Sequence, residues 1–199
     1  MPFNFMRGRQ MMVHDPRVDN PLTTPHTLLR PPNAMNVWTV GLSDSVSHVV
    51  GWPAQLAARS GGLDAVHFLA HGYPGGMQIG AGHLGQSAIP FFDQFRDPTT
   101  HRPRVRFIVM FSCSVGGDSQ GWYINHPIYF GEQVAAASGA RVVVARRIQG
   151  YTWDSSNVID VGSFEGEVDV YDAGGWEEYQ SYNPFRTVPM LDLETLIFG

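Results

Sequence analysis

Residues 63–70, LDAVHFLA, and 104–112, RVRFIVMFS, carry apolar side chains at successive positions rather than at every second one. A strand that is apolar on both faces must be buried on both. That is the setting of a central strand in a parallel sheet with helices over each side. Parallel neighbours need long connections, usually helical, and the flanking sequence supplies them. Residues 36–42, NVWTVGL, read as a first strand, rich in β-branched and aromatic residues. Ser43 is a suitable N-cap for the segment SDSVSHVVGWPAQLAARSGG. Within it Val46, Val49, Val50 and Leu56 fall near one helical face, Pro53 is expected to break or restart the helix, and Gly61-Gly62 end it. Residues 87–96 predict a short helix with Phe91, Phe92 and Phe95 turned inward, and residues 128–138 a second helix stopped by Gly139. Residues 140–145, ARVVVA, complete the set as a fourth strand. The order predicts an α/β fold with a mainly parallel central sheet, flanking helices and right-handed crossovers.

The ends of the chain read differently. Residues 1–34 hold Pro2, Pro16, Pro21, Pro25, Pro31 and Pro32 and sustain no period, which predicts an irregular N-terminal arm lying outside the core. Residues 35–199 form the α/β domain, and its part from 149 to 199, rich in aromatics, acids and glycine, reads as hairpins or loops. With 199 residues the chain has enough sequence for one good core. No apolar run approaches the roughly 18–20 residues that cross a bilayer, and the N-terminus lacks a signal-type apolar stretch. The expectation is a protein without a membrane span, cytoplasmic or exported by a signal-independent route. A net charge of −5, with no basic run longer than Arg146-Arg147, argues against nucleic acid. All 13 basic residues are arginine. A GC-rich genome accounts for that, and so does an effector or toxin that works in a foreign cell and avoids lysine modification.

Both central strands end in chemistry. Residues 63–70 run into His71-Gly72, and 104–112 run into Cys113, the chain's one cysteine. Ligands of open α/β sheets bind beyond the carboxyl ends of the strands, and both side chains stand there. A thiol attacks as thiolate, which at an ordinary pKa of about 8.5 is a small fraction at neutral pH. An imidazole, titrating near the working pH, takes that proton and later returns it to a leaving amine. Gly72 has no Cβ, so its backbone can approach a substrate, and its N–H together with that of Cys113 can receive an oxyanion. This chemistry requires no cofactor. Two rival readings stand beside it. An α/β-hydrolase elbow needs glycine two residues either side of the nucleophile, where this chain has Phe111 and Val115. A zinc site would draw on His67, His71 and His83, without a convincing further ligand.

The strand followed by His71-Gly72, and the later strand followed by Ser112-Cys113-Ser114 with glycines behind, resemble the caspase-like cysteine peptidases. That group includes caspases, legumains, gingipains, separases, CHAT-domain proteases and the self-processing protease domains of large bacterial toxins. The loop HGYPGGMQIG and the run GEQVAAASGARVVVA look most like the bacterial CHAT-like domains, and the resemblance spans about residues 36 to 147. It implies a caspase-like fold, a polypeptide substrate, His71 as acid/base and Cys113 as nucleophile. FSCSVGG departs from the Gln-Ala-Cys-Arg-Gly sequence of true caspases, so aspartate specificity does not follow. Pocket candidates are Arg146, Arg147, Tyr151, Trp153 and Asp154, with Asp118 either lining the pocket or orienting His71. An arginine there selects an acidic substrate residue and an aspartate a basic one. The resemblance also admits a catalytically silent recruitment module. The arm at residues 1–34 is a candidate regulator, covering the cleft or being cut at Arg7, Arg9, Arg17 or Arg30.

Overall fold

The computed structural model describes residues 9–18, 35–113, 115, 127–145, 152–153, 159–160, 163–165, 168–173, 175–179 and 187–189. Three strands open the chain: β1 (Gln10–His14), β2 (Met35–Thr39) and β3 (Leu63–Leu69). A small meander follows at once, made of β4 (His71–Tyr73), β5 (Gly76–Ile79) and β6 (Gly82–Leu84). Then come β7 (Val105–Phe111) and β8 (Arg141–Ala145). Farther on are the short pairs β9 (Thr152–Trp153) with β10 (Ile159–Asp160), and β11 (Ser163–Glu165) with β14 (Thr187–Pro189). Between them runs the hairpin β12 (Val168–Asp172) and β13 (Gly175–Tyr179). The main sheet has seven strands in the order β13-β12-β8-β7-β3-β1-β2. From β2 to β8 every neighbour is parallel, while β12 and β13 add an antiparallel edge.

The first helix, α1 (Val46–Ser60), is capped by Ser45, whose hydroxyl accepts from the His48 N–H at 3.2 Å, two residues later than the sequence suggested. It closes at Gly61 in the left-handed conformation at φ 73°, with the Gly62 N–H on the Ala57 carbonyl at 2.7 Å. Pro53 does not break it: the helix runs through, with the ring buried. A mid-helix proline costs about 3 kcal/mol, and here the buried face of the helix, with Val49, Val50, Ala54 and Ala57 in the core, offsets that. Residues Gln86–Phe95 wind as a 3₁₀ segment that buries Phe92 and Phe95 and leaves Phe91 half-buried. The second helix, α2 (Pro127–Ser138), precedes β8.

Alternation along the strands divides the sheet into two faces. Met11, Val13, Val66, Phe68, Ile108, Met110, Val142 and Val144 share one core with α1, the 3₁₀ segment and α2. The helices were expected on both sides; among the described residues α1 and α2 lie on one. Handedness explains it, because β2, β3, β7 and β8 advance across the sheet in one direction, so right-handed crossovers fall on one face. The opposite face carries Gln10, Met12, His14, His67, Leu69, Val109 and Phe111, and it is buried too.

The N-terminal expectation is overturned as well. Gln10–His14 is not part of an irregular arm but a fully buried strand inserted between β2 and β3, followed by a 3₁₀ turn at Pro16–Val18. Its QMMVH sequence is short and rich in methionine, a weak strand signal, and its tertiary neighbours decide its state.

Candidate active site

The sheet runs from β1 one way to β2 and the other way to β3. The carboxyl ends of β1 and β3 therefore flank the point where the strand order reverses, the place where such sheets open a crevice. β3 and β7 are parallel neighbours in direct register, with Leu69 opposite Phe111. The two chains stay in step beyond the sheet. Ala70 N–H donates to the Phe111 carbonyl at 3.3 Å, the buried Ser112 hydroxyl donates to the Ala70 carbonyl, and Gly75 N–H donates to the Val115 carbonyl at 3.2 Å. His71 and Cys113, each two residues past a paired position, thus stand at one rim on strands about 4.8 Å apart. His71 is exposed and Cys113 half-buried.

Gly72 lies directly against the Cys113 backbone. A Cβ at Gly72 would fall 2.2 Å from the Cys113 carbonyl oxygen, 2.6 Å from Ser112 Oγ and 2.7 Å from the Cys113 nitrogen. Only glycine fits that approach. From His71 the chain turns into the β4–β6 meander, where Gly80 adopts φ +57°. Tyr73 in this meander meets His83 edge to face, with ring centroids 5.6 Å apart, and partial burial raises its phenol above the ordinary pKa.

The third member of the site comes from the end of β1, which sequence reasoning left in the arm. His71 Nε2 lies 2.8 Å from the backbone carbonyl of Arg17. A carbonyl can only accept, so Nε2 carries the proton and, in the neutral ring, Nδ1 keeps its lone pair. Asp15, wholly buried, holds Arg17 in turn through a bidentate ion pair at 2.7 and 2.8 Å. Burial pushes the Asp15 carboxyl up, but hydrogen bonds from the Arg17 side chain and from the Arg17 and Gly80 N–H groups outweigh it, and the net shift is downward. A signal was present: MMVHD, like VHFLAHG and VMFSC, is an apolar run that ends in ionisable residues.

Arg146, Arg147, Tyr151, Asp154 and Asp118 lie outside the described residues, and Trp153 is placed only as a backbone position in β9. The zinc reading loses its geometry. His67 is buried within β3, Nε2 to Gln10 Oε1 at 2.7 Å and its ring stacked 5.8 Å from Phe111, whereas His71 is exposed beyond the strand. Among the described residues no three His, Cys, Asp or Glu side chains gather for a metal ion, and no helix is long and apolar enough to cross a membrane. The fold defines an α/β chain with a mixed, mostly parallel sheet, in which His71 and Cys113 follow the ends of the neighbouring strands β3 and β7. No protein-family model matches the chain, and no curated protein matches it.

Proposed function

We propose that this chain is a caspase-like cysteine endopeptidase. The observation that carries the reading is the direct pairing of β3 with β7, which brings His71 and Cys113 to one rim beside the sheet's reversal. In this mechanism His71 Nδ1 takes the Cys113 proton and the sulfur attacks a peptide carbonyl. The backbone N–H groups of Gly72 and Cys113 receive the negative oxygen. His71 then protonates the departing amine, and water releases the acyl group from sulfur with His71 again as base. The Nε2–H bond to the Arg17 carbonyl supports this assignment because it leaves Nδ1 as the base. Processing of the N-terminal residues, if it accompanies activity, has to spare Gln10–His14, which the sheet needs. That favours Arg7 as the cut site: Arg9 N–H is bound to Asp64 at 2.7 Å, and a cut at Arg17 or Arg30 severs β1 from the strands it pairs with.

The test is cleavage of a mixed peptide library together with labelling by a peptidyl electrophile. Cys113→Ala abolishes both, and His71→Ala lowers cleavage by at least ~10³-fold. Cleavage that survives Cys113→Ala overturns the proposal.

A further inference from the structure

We infer that Asp15 and Arg17 are positioning residues for His71: neither side chain touches the imidazole, but together they fix the backbone carbonyl that holds it. The inference rests on the peptidase reading and extends it to two residues that carry no chemistry of their own.

A carbonyl orients a histidine only if its own peptide plane cannot turn. Here that plane, which the Arg17 carbonyl shares with the Val18 N–H, is held both directly and through its neighbours. Asp15 Oδ1 accepts from the Arg17 backbone N–H at 2.9 Å and from Arg17 Nε at 2.8 Å. Asp15 Oδ2 accepts from Arg17 Nη2 at 2.7 Å and from the Gly80 N–H at 2.9 Å. Arg17 Nη2 donates again to the Gly80 carbonyl at 2.6 Å. The main chain closes the bracket, with Asp15 N–H on the Leu69 carbonyl at 2.8 Å and Val18 N–H on the Asp15 carbonyl at 3.1 Å. The Val18 N–H bond holds the plane of the Arg17 carbonyl directly, while Asp15 ties the preceding plane and the Arg17 side chain to the end of β3 and to the β5–β6 turn, and the carbonyl oxygen lies 2.8 Å from His71 Nε2.

Stability alone is a poor reason for such a network. A wholly buried carboxylate is expensive to desolvate even when paired, and apolar residues of similar volume often serve as well or better. What a fully satisfied polar network supplies is one geometry. At this rim one geometry means one imidazole tautomer, with the lone pair on the nitrogen that the mechanism needs.

The experiment records the ¹⁵N shifts of the His71 ring in the full chain, and the rate at which Cys113 reacts with a peptidyl electrophile. Wild type is compared with Asp15→Asn, Arg17→Ala and the double variant. Arg17→Ala keeps the carbonyl and the Arg17 and Gly80 N–H donors to Asp15, and the double variant removes the buried charge together with its partner, so the comparison does not depend on any one variant folding. In wild type the shifts report the Nε2–H tautomer. Each single variant gives a tautomer mixture and a rate about tenfold lower or more, in line with losses of ligand-orienting partners elsewhere. The double variant is no worse than the poorer single, because both substitutions break one device. Unchanged ring shifts in both folded single variants, or fully additive losses, overturn the inference. A shifted tautomer alongside cleavage that persists in Cys113→Ala sinks the peptidase reading and leaves the bracket standing.

Discussion

Gly72 is the tightest point of the rim. The space a methyl group would need is already held by the carbonyl oxygen and nitrogen of Cys113 and by Ser112 Oγ. Two of these are main-chain atoms of the segment that presents the thiol, so they cannot rotate aside as a flexible side chain would. Gly72→Ala therefore pushes the two strand ends apart. The expected cost is about 1–3 kcal/mol of unfolding free energy, the range for overpacking a dense site. The larger effect falls on chemistry, because the displaced pair is His71's loop and Cys113 itself. Urea unfolding and electrophile labelling of the same preparation separate the two effects. A variant that folds with wild-type stability and labels at the wild-type rate shows that this approach is not as close as the backbone places it. Ser112 acts at the same place from the other side, its buried hydroxyl tying the segment before Cys113 to the Ala70 carbonyl.

At the scale of elements, β1 decides how the site is built. Met11, Met12 and Val13 are completely buried, and β1 pairs on both sides, with β2 and with β3. Val13→Asp puts a charge into the core shared with α1, where nothing apolar can replace lost water. It is expected to remove more than about 3 kcal/mol and to leave a chain with little cooperative unfolding by circular dichroism. If residues 1–34 were a dispensable arm, the substitution would be silent. The contrast between β1 and β3 also shows what the sequence reveals. β3 and β7 were legible because each is seven residues long and mostly apolar, interrupted only by Asp64 and His67 in the first and by Arg106 in the second. Their side-by-side pairing followed from the tendency of successive parallel strands to lie next to each other, and with it the placing of His71 and Cys113 at one rim. β1 spans five residues of QMMVH with prolines nearby, and only its two sheet neighbours make it a strand. The partner of His71 was hidden for a different reason. It is a backbone carbonyl, and every residue has one, so no residue type marks it. Asp15 and Arg17 were visible as letters but not as a bracket, since their meaning depends on Gly80, which lies 65 residues beyond Asp15.

At the scale of the whole molecule the sheet is chemically two-sided. The face under the helices is apolar, whereas the opposite face buries Gln10, His14 and His67. His67 gives this asymmetry a measurable consequence. Burial lowers its pKa from 6.5 to about 3, because the interior disfavours the imidazolium. Between those values the unfolded chain binds a proton that the folded one does not, so stability rises with pH across that window. The contribution is fully present above 6.5 and is lost as pH falls toward 3. One group of this kind gives a slope of at most about 1.4 kcal/mol per pH unit. Asp15 acts lower on the scale. Its carboxyl lies below the ordinary 3.8, so its contribution holds above that value and fails only as pH drops through the folded one. Acid should therefore weaken the molecule in two stages, the imidazole first and the carboxylate of the bracket afterwards. Urea midpoints measured at several pH values between 7 and 4 test the first stage. His67→Gln keeps a neutral polar group beside Gln10 and removes the titration, so whatever its stability at pH 7, its midpoint should fall less steeply than wild type. Parallel slopes for the two proteins would mean that His67 is protonated within the fold, and that the face away from the helices admits water.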